Sequence, residues 1–298
     1  MPESSHLLRR FSLFAALMLL LCSVPVSPQS DPTSRSWNQP VKPFRVIGNV
    51  WYVGASEITS FLITTPQGHI LLDGGFAETA PLIKDNVKKL GFKLEEIKIL
   101  LNSQAHYDHA GGLAELKELT GARLMASEAD AALLANGGKD DFAWGDKYAY
   151  RPVKADRLLR DNDTVELGGV TMTARLTPGH TRGCTTWTMK VKEGGQVCDV
   201  VFVGSASIPG YKLVGNENYP RIVEDYADTF ELMKKLRCDV FLAAHGSFFD
   251  LQGKIERLGK GEKANPFIDP KGYRDYVAAA EKTYREQLQK EREAAGSR

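Results

Sequence analysis

What this chain has little of narrows it first. It carries no excess of either charge: 38 basic against 37 acidic residues leave a net charge of +1 over 298 residues. No basic or acidic block stands out either, so the electrostatic footprint of a nucleic-acid or anionic-surface binder is absent. Cysteine is scarce, four in all, and the spacing is not that of metal-binding pairs. A disulfide-dense scaffold and a thiolate metal site are thereby excluded. Short repeats are missing, and so are low-complexity tracts beyond the polar stretch SPQSDPTS near the N-terminus. The one conspicuous apolar run is short and sits near the N-terminus, and with 43% hydrophobic and 25% charged residues the rest is ordinary globular composition.

That run, FSLFAALMLLLCSVPV, follows the pair Arg9-Arg10 and gives way to the polar, Pro- and Ser-rich SPQSDPTS. Basic region, apolar region and polar exit make a secretory signal, expected over residues 1–30 and cleaved on export to the periplasm. The run is short for a membrane span, so no stable membrane association is expected. Cys22 follows Leu21, larger than the small residue expected before a lipidated cysteine, and the arginine pair hints at twin-arginine export. Residues 31–298 are expected to form one domain, with Cys184, Cys198 and Cys238 in it. Three cysteines allow at most one bridge and leave one thiol over, and burial is the default reading of each.

From Phe44 to Asp73, β-rich stretches alternate with turn signals (FRVIGNVWYVG, SFLITTP, QGHILLDGG), which reads as an antiparallel meander. Helical spacing follows in TAPLIKDNVKKLG, with Gly91 as its stop. A buried strand IKILLNS, a helix ending at Gly121, a strand ARLMAS and a helix EADAALLANGG come next. The second half repeats the scheme: TVELGGVTMTARLTPG and CTTWTMKVKEGGQVCDVVFVG as strands, IVEDYADTFELMKKLR as a helix, DVFLAAH as a strand, and a long closing helix from Tyr273. Two such halves predict an α/β (α+β) fold of two sheets face to face with helices outside. Residues 136–152, NGGKDDFAWGDKYAYRP, form a long irregular insertion with Phe142, Trp144, Tyr148 and Tyr150, expected to be a lid or binding loop.

Of the six histidines, His6 lies in the export signal and His69 in a turn entering a strand. The other four, His106, His109, His180 and His245, each stand where an apolar strand runs into a glycine-containing turn. One such histidine is unremarkable; four from three strand ends make a site displayed on a rigid scaffold. Imidazoles with the carboxylate of Asp108 suit zinc and similar metals. A turn within QAHYDH lets His106, Asp108 and His109 point to two centres. Paired metals activate water near neutral pH and polarise a substrate oxygen, the equipment of a hydrolase. A non-catalytic metal- or solute-binding protein is the reading from another class.

QAHYDH followed by GHT and then AHG resembles the metallo-β-lactamase superfamily's H-x-H-x-D-H, downstream histidine and final histidine, and ILLDGG resembles its early acidic turn at Asp73. GSASIPGYKLVGNENYP and IVEDYADTFELMKKLRCDVFLAAH resemble the third metallo-β-lactamase subclass, and the likeness runs over roughly residues 37 to 290. It implies a four-layer αβ/βα sandwich with two zinc ions at one edge. Gln104, His106 and His180 would hold the first, and Asp108, His109 and His245 the second, with Asp108 also orienting a bridging hydroxide. Ser205 and Ser207 would bind the substrate carboxylate, with Trp37, Phe142 and Trp144 around it. The implied reaction is hydrolysis of penicillins, cephalosporins and carbapenems, hence antibiotic resistance. Gln104 departs from the usual histidine; its neutral amide is a weaker zinc donor, so the first site should bind less tightly, and a hydrogen-bonding role beside the metal is its other reading. Thioesterases and lactonases of the same superfamily usually place a metal-bridging aspartate where this chain has Ser205, and no aspartate lies between Asp199 and Asp225.

Overall fold

A computed structural model of the chain describes residues 32–297; the segment read as an export signal lies outside them. After a short helix α1 (Pro32–Trp37), strands β1 (Phe44–Ile47), β2 (Val50–Tyr52), β3 (Phe61–Thr65), β4 (Gly68–Leu72), β5 (Ile97–Leu101), β6 (Arg123–Ser127) and β7 (Arg157–Leu159) make one seven-stranded sheet, in spatial order equal to chain order. The first four pair antiparallel, through two-residue turns between β1 and β2 and between β3 and β4 and a longer loop between β2 and β3. From β4 onward the pairing is parallel, which demands crossovers. Helices α2 (Ala80–Lys89), α4 (Leu113–Thr120) and α5 (Glu128–Ala135) supply them, and a single turn α3 (Tyr107–Ala110) precedes α4.

The second sheet has the order β12-β11-β10-β9-β8, with β8 (Thr164–Leu167), β9 (Val170–Leu176), β10 (Thr185–Glu193), β11 (Gln196–Val203) and β12 (Val240–Ala243). Its one parallel pair, β11 with β12, is bridged by α6 (Ile222–Lys235). Helices α7 (Leu251–Gly259) and α8 (Pro270–Gly296) close the fold. Two sheets flanked by helices are what the sequence pattern predicts.

Strand alternation divides the core. Phe61, Ile63, Ile70 and Leu72 face the second sheet, while Leu62 and Leu71 face Ile83, Val87 and Leu113 of the covering helices. Between the sheets the rings of Phe61 and Phe202 meet edge to face at 5.2 Å. Trp187, fully buried on β10, donates its indole N–H to the Asn102 carbonyl at 3.1 Å and so ties the second sheet to the segment leaving β5. On the far side, α8 presents Tyr273, Val277, Tyr284 and Leu288 inward at helical spacing, its first turn capped by Asp269. Lys254 of α7 is buried, with its ammonium 3.0 Å from Asp269 and 5.6 to 5.8 Å from the ring centres of Phe241, Phe249 and Phe267.

Cys184 and Cys198 are buried as expected, Cys238 is half-buried, and all three are free thiols. Among the described residues no helix is long and apolar enough to cross a membrane.

Candidate functional site

The four histidines converge at one edge of the sandwich, between the segment leaving β5, the β9–β10 turn and the end of β12. Two turns build the β5 side. Asp73, in the left-handed region at φ 64°, accepts hydrogen bonds from Ser103 N at 2.7 Å, Ser103 Oγ at 2.6 Å and Asn102 Nδ2 at 3.2 Å. Gly74 N donates to the His109 carbonyl at 2.9 Å and Gly112 N to that of Gly75 at 3.1 Å. The two backbones lie so close that a Cβ on Gly112 would run into the Gly74 carbonyl oxygen. His106 itself is extended (φ −78°, ψ 156°), and the helical turn α3 then carries Asp108 and His109. Neighbouring side chains are thereby aimed in different directions.

Two groups of donor atoms result. His109 Nε2, His245 Nε2 and Asp108 Oδ2 form a triangle with sides of 3.2, 3.3 and 3.5 Å. A tetrahedral metal with ligands at about 2.0–2.1 Å has edges of about 3.3 Å, so this triangle fits one face of zinc coordination. These three residues also form a compact His/Asp group able to hold an ion. In the second group, His106 Nδ1 lies 3.1 Å from His180 Nε2. Gln104 is fully buried nearby in sequence, and neither amide atom has a hydrogen-bond partner. The Gln104 amide oxygen and the facing imidazoles are donor types that a metal accepts, and a buried oxygen without a partner is open to that role.

Electrostatics support ligation. Burial alone would raise Asp108, but the imidazoles of His109, His245 and His106 hold its carboxyl well below the usual range, so it is an anion. Burial opposes the His109 cation, and Asp108 outweighs it and raises that ring. Burial, reinforced by His106, keeps His180 neutral. Its Nδ1 lies 3.0 Å from the Ser207 carbonyl, which can only accept, so Nδ1 carries the proton and Nε2 offers its lone pair toward His106.

The serines and aromatics expected at the site have distinct places. Ser207 is half-buried, its hydroxyl 3.2 Å from His180 Nδ1. Ser205 is buried, its hydroxyl 3.0 Å from that of Ser207. Trp144 packs over His106 with ring centres 4.7 Å apart, and Trp37 meets His245 edge-on at 5.4 Å. Phe142 is instead packed into the core between Tyr211 and Tyr219, each at 4.9 Å. Insertion 136–152 is fastened down: Tyr148 stacks on Tyr107 at 4.5 Å, and the Tyr150 hydroxyl donates to the Ala105 carbonyl at 2.6 Å.

Three carboxylates complete the surroundings, and sequence reasoning missed all of them. Asp130 of α5 is buried and accepts from Ala105 N at 2.9 Å, Thr181 Oγ1 at 2.8 Å and Gly183 N at 2.9 Å, clamping the turns on both sides of the His106–His180 pair. Asp141 Oδ2 lies 3.4 Å from His106 Nε2, and Glu57 Oε1 lies 3.4 Å from His245 Nδ1. Burial opposes the anions of Asp141 and Glu57, but the facing histidines and nearby donors lower both.

Comparison with known proteins bears on this geometry. A family model described as the metallo-beta-lactamase superfamily matches residues 53–245. The native FEZ-1 metallo-beta-lactamase from Legionella gormanii is 43% identical, with a TM-score of 0.84 over 86% of this chain and 98% of that one. The class B3 di-zinc metallo-beta-lactamase LRA-12 from an Alaskan soil metagenome is 40% identical, with a TM-score of 0.80 over 85% of this chain and 96% of that one. The hydroxyacylglutathione hydrolase of Hyphomonas neptunium is 31% identical over 115 residues, 39% of this chain and 37% of that protein. The chain spans between 31% and 39% of the length of the first curated relatives it matches.

Proposed function

The chain belongs to the metallo-beta-lactamase superfamily, and from that premise we propose that it is a zinc-dependent β-lactamase hydrolysing penicillins, cephalosporins and carbapenems. The observation that carries this reading is the zinc-sized triangle of His109, His245 and Asp108, in a chain whose likeness covers nearly all of a solved β-lactamase.

His109, His245 and Asp108 would hold one zinc, and Gln104, His106 and His180 the other. When bound, the two ions supply a nucleophilic oxygen near neutral pH and polarise the lactam carbonyl. Asp108, ionised and at the junction of the two groups, accepts a hydrogen bond from the attacking water and orients it. The Ser207 hydroxyl reaches the substrate carboxylate, a charge-assisted contact worth about 1.5–3 kcal/mol. Ser205, buried with its hydroxyl engaged, aims Ser207 and is no nucleophile. Trp144 and Trp37 wall the two ends of the cleft against water, with Phe142 packed behind.

A second reading, thioester hydrolysis, draws support from the hydroxyacylglutathione hydrolase match. Purified protein offered a carbapenem, a cephalosporin, a penicillin and an S-acyl glutathione thioester separates the two. Lactam turnover, lost with a chelator and restored by zinc, is expected. Thioester cleavage without lactam turnover would refute the proposal. Export to the periplasm, read from the N-terminal segment, is checked by fractionating expressing cells.

A further inference from the structure

We infer that Glu57 and Asp141 are positioning residues, one for each metal, each holding a ligand histidine by the ring nitrogen that the metal does not take. The inference rests on the zinc-centre reading above. His245 turns Nε2 to its fellow ligands and Nδ1 to Glu57, while His106 turns Nδ1 to His180 and Nε2 to Asp141. The two rings use opposite nitrogens, yet each has a carboxylate oxygen 3.4 Å behind it. That recurrence is the observation.

Both carboxylates are sequestered. The Asp141 side chain is 5% exposed and that of Glu57 19%, and among the described residues the histidine is the sole ion-pair partner of each. A sequestered carboxylate without a lysine or arginine calls for a reason. Backbone donors aim both: Asp141 Oδ1 accepts from Ala143 N at 2.8 Å and Trp144 N at 2.9 Å, which leaves Oδ2 for His106. Glu57 is held by Ser247 N at 3.0 Å. A carboxylate accepting the distal N–H fixes the tautomer, directs the other lone pair at the metal and raises its basicity. At the first site the device has added weight. Gln104, His106 and His180 are neutral ligands, so Asp141 brings the negative charge that this ligand set lacks.

Zinc titration of metal-free protein against a chromophoric chelator tests this, using Asp141→Asn and Glu57→Gln. Both substitutions keep an oxygen for the backbone donors and remove the charge at the ring. Asp141→Asn should weaken one zinc equivalent by about 10–100-fold and Glu57→Gln the other. In a His180→Ala background, where the first site is crippled, Glu57→Gln should still weaken the remaining equivalent and Asp141→Asn should not. Imidazole nitrogen NMR should show the His106 Nε2–H and His245 Nδ1–H protons shifting in the matching variant alone. Affinities within threefold of the parent, or equal weakening of both equivalents together with a lowered melting temperature of the metal-free protein, would overturn the inference. A parent protein that takes up no zinc would overturn the zinc-centre reading itself; two equivalents bound with unchanged affinity in the variants would overturn only the positioning roles.

Discussion

Replacing Asp130 by alanine tests whether the scaffold around the His106–His180 pair depends on one buried carboxylate. The substitution removes the acceptor for Ala105 N, Thr181 Oγ1 and Gly183 N, all at 2.8 to 2.9 Å. Ala105 and Thr181 are at most 1% exposed, so water cannot replace the lost acceptor without rearrangement. A buried donor left without a partner costs about 1–3 kcal/mol, so three would cost about 3–9 kcal/mol. The threonine hydroxyl can rotate to another acceptor, which places the expectation near the lower end, about 4 kcal/mol. Asparagine keeps one acceptor oxygen but sets an amide donor against at least one of the three groups, for a loss of about 1–3 kcal/mol. Urea unfolding of metal-free protein, followed by two optical probes to establish a single transition, gives both numbers. An alanine variant within 1 kcal/mol of the parent, or no worse than asparagine, would show that the clamp is incidental.

Other changes probe other parts. Gln104→His should tighten the weaker zinc equivalent, because imidazole is a better zinc donor than an amide, and an unchanged titration would count against Gln104 as a ligand. Lys254→Met leaves Asp269 without its partner at 3.0 Å and should lower stability at neutral pH, by less than the about 3–5 kcal/mol of a fully buried pair because the Asp269 side chain is 32% exposed. Burial lowers Lys254 below its ordinary value in spite of Asp269. The unfolded chain therefore binds the proton more readily, and parent stability should rise with pH between that lowered value and about 10.4, a slope absent from Lys254→Met. Gly112→Ala should cost about 1–3 kcal/mol and weaken the His109 zinc, because the new Cβ pushes against the Gly74 turn. Gly259→Ala, where a Cβ meets nothing within 4 Å, should stabilise by about 0.4–1 kcal/mol in the same urea unfolding assay.

The parts of the molecule written as local periodicity were legible. The β-rich stretches between turn signals at β1 to β4, helical spacing in α2, and glycine stops at Gly91 and Gly121 all match the observed elements. The four histidines were legible as a set because each follows an apolar strand. Elements shorter than two of their own repeats, such as α1, α3 and β7, carry no such pattern, and α7 is interrupted by Gly253. The supporting carboxylates were out of reach for a different reason. Glu57, Asp130 and Asp141 lie in a loop, a helix and an insertion, indistinguishable along the chain from surface acids, and only tertiary contact gives them a partner. The part played by the Ser207 carbonyl is a main-chain property that no side-chain pattern encodes. Phe142 shows the reverse: its place in an aromatic insertion suits a substrate wall, while its contacts are those of the core.

The chain distance between facing ligands bears on when the centre comes into being. His106 and His180 are 74 residues apart, and His109 and His245 are 136 apart, each pair spanning both sheets. No hairpin or lone βα unit contains a full ligand set, so the donors cannot assemble until the two halves dock. In an unfolded chain the same residues amount to scattered, weak ligands that compete poorly with buffers and other metalloproteins. On the proposed zinc-centre reading, the metal would therefore be acquired late, in whatever compartment the chain completes its folding. If the chain hydrolyses β-lactams as proposed, resistance in a cell would follow the free zinc of that compartment as closely as it follows the amount of protein made.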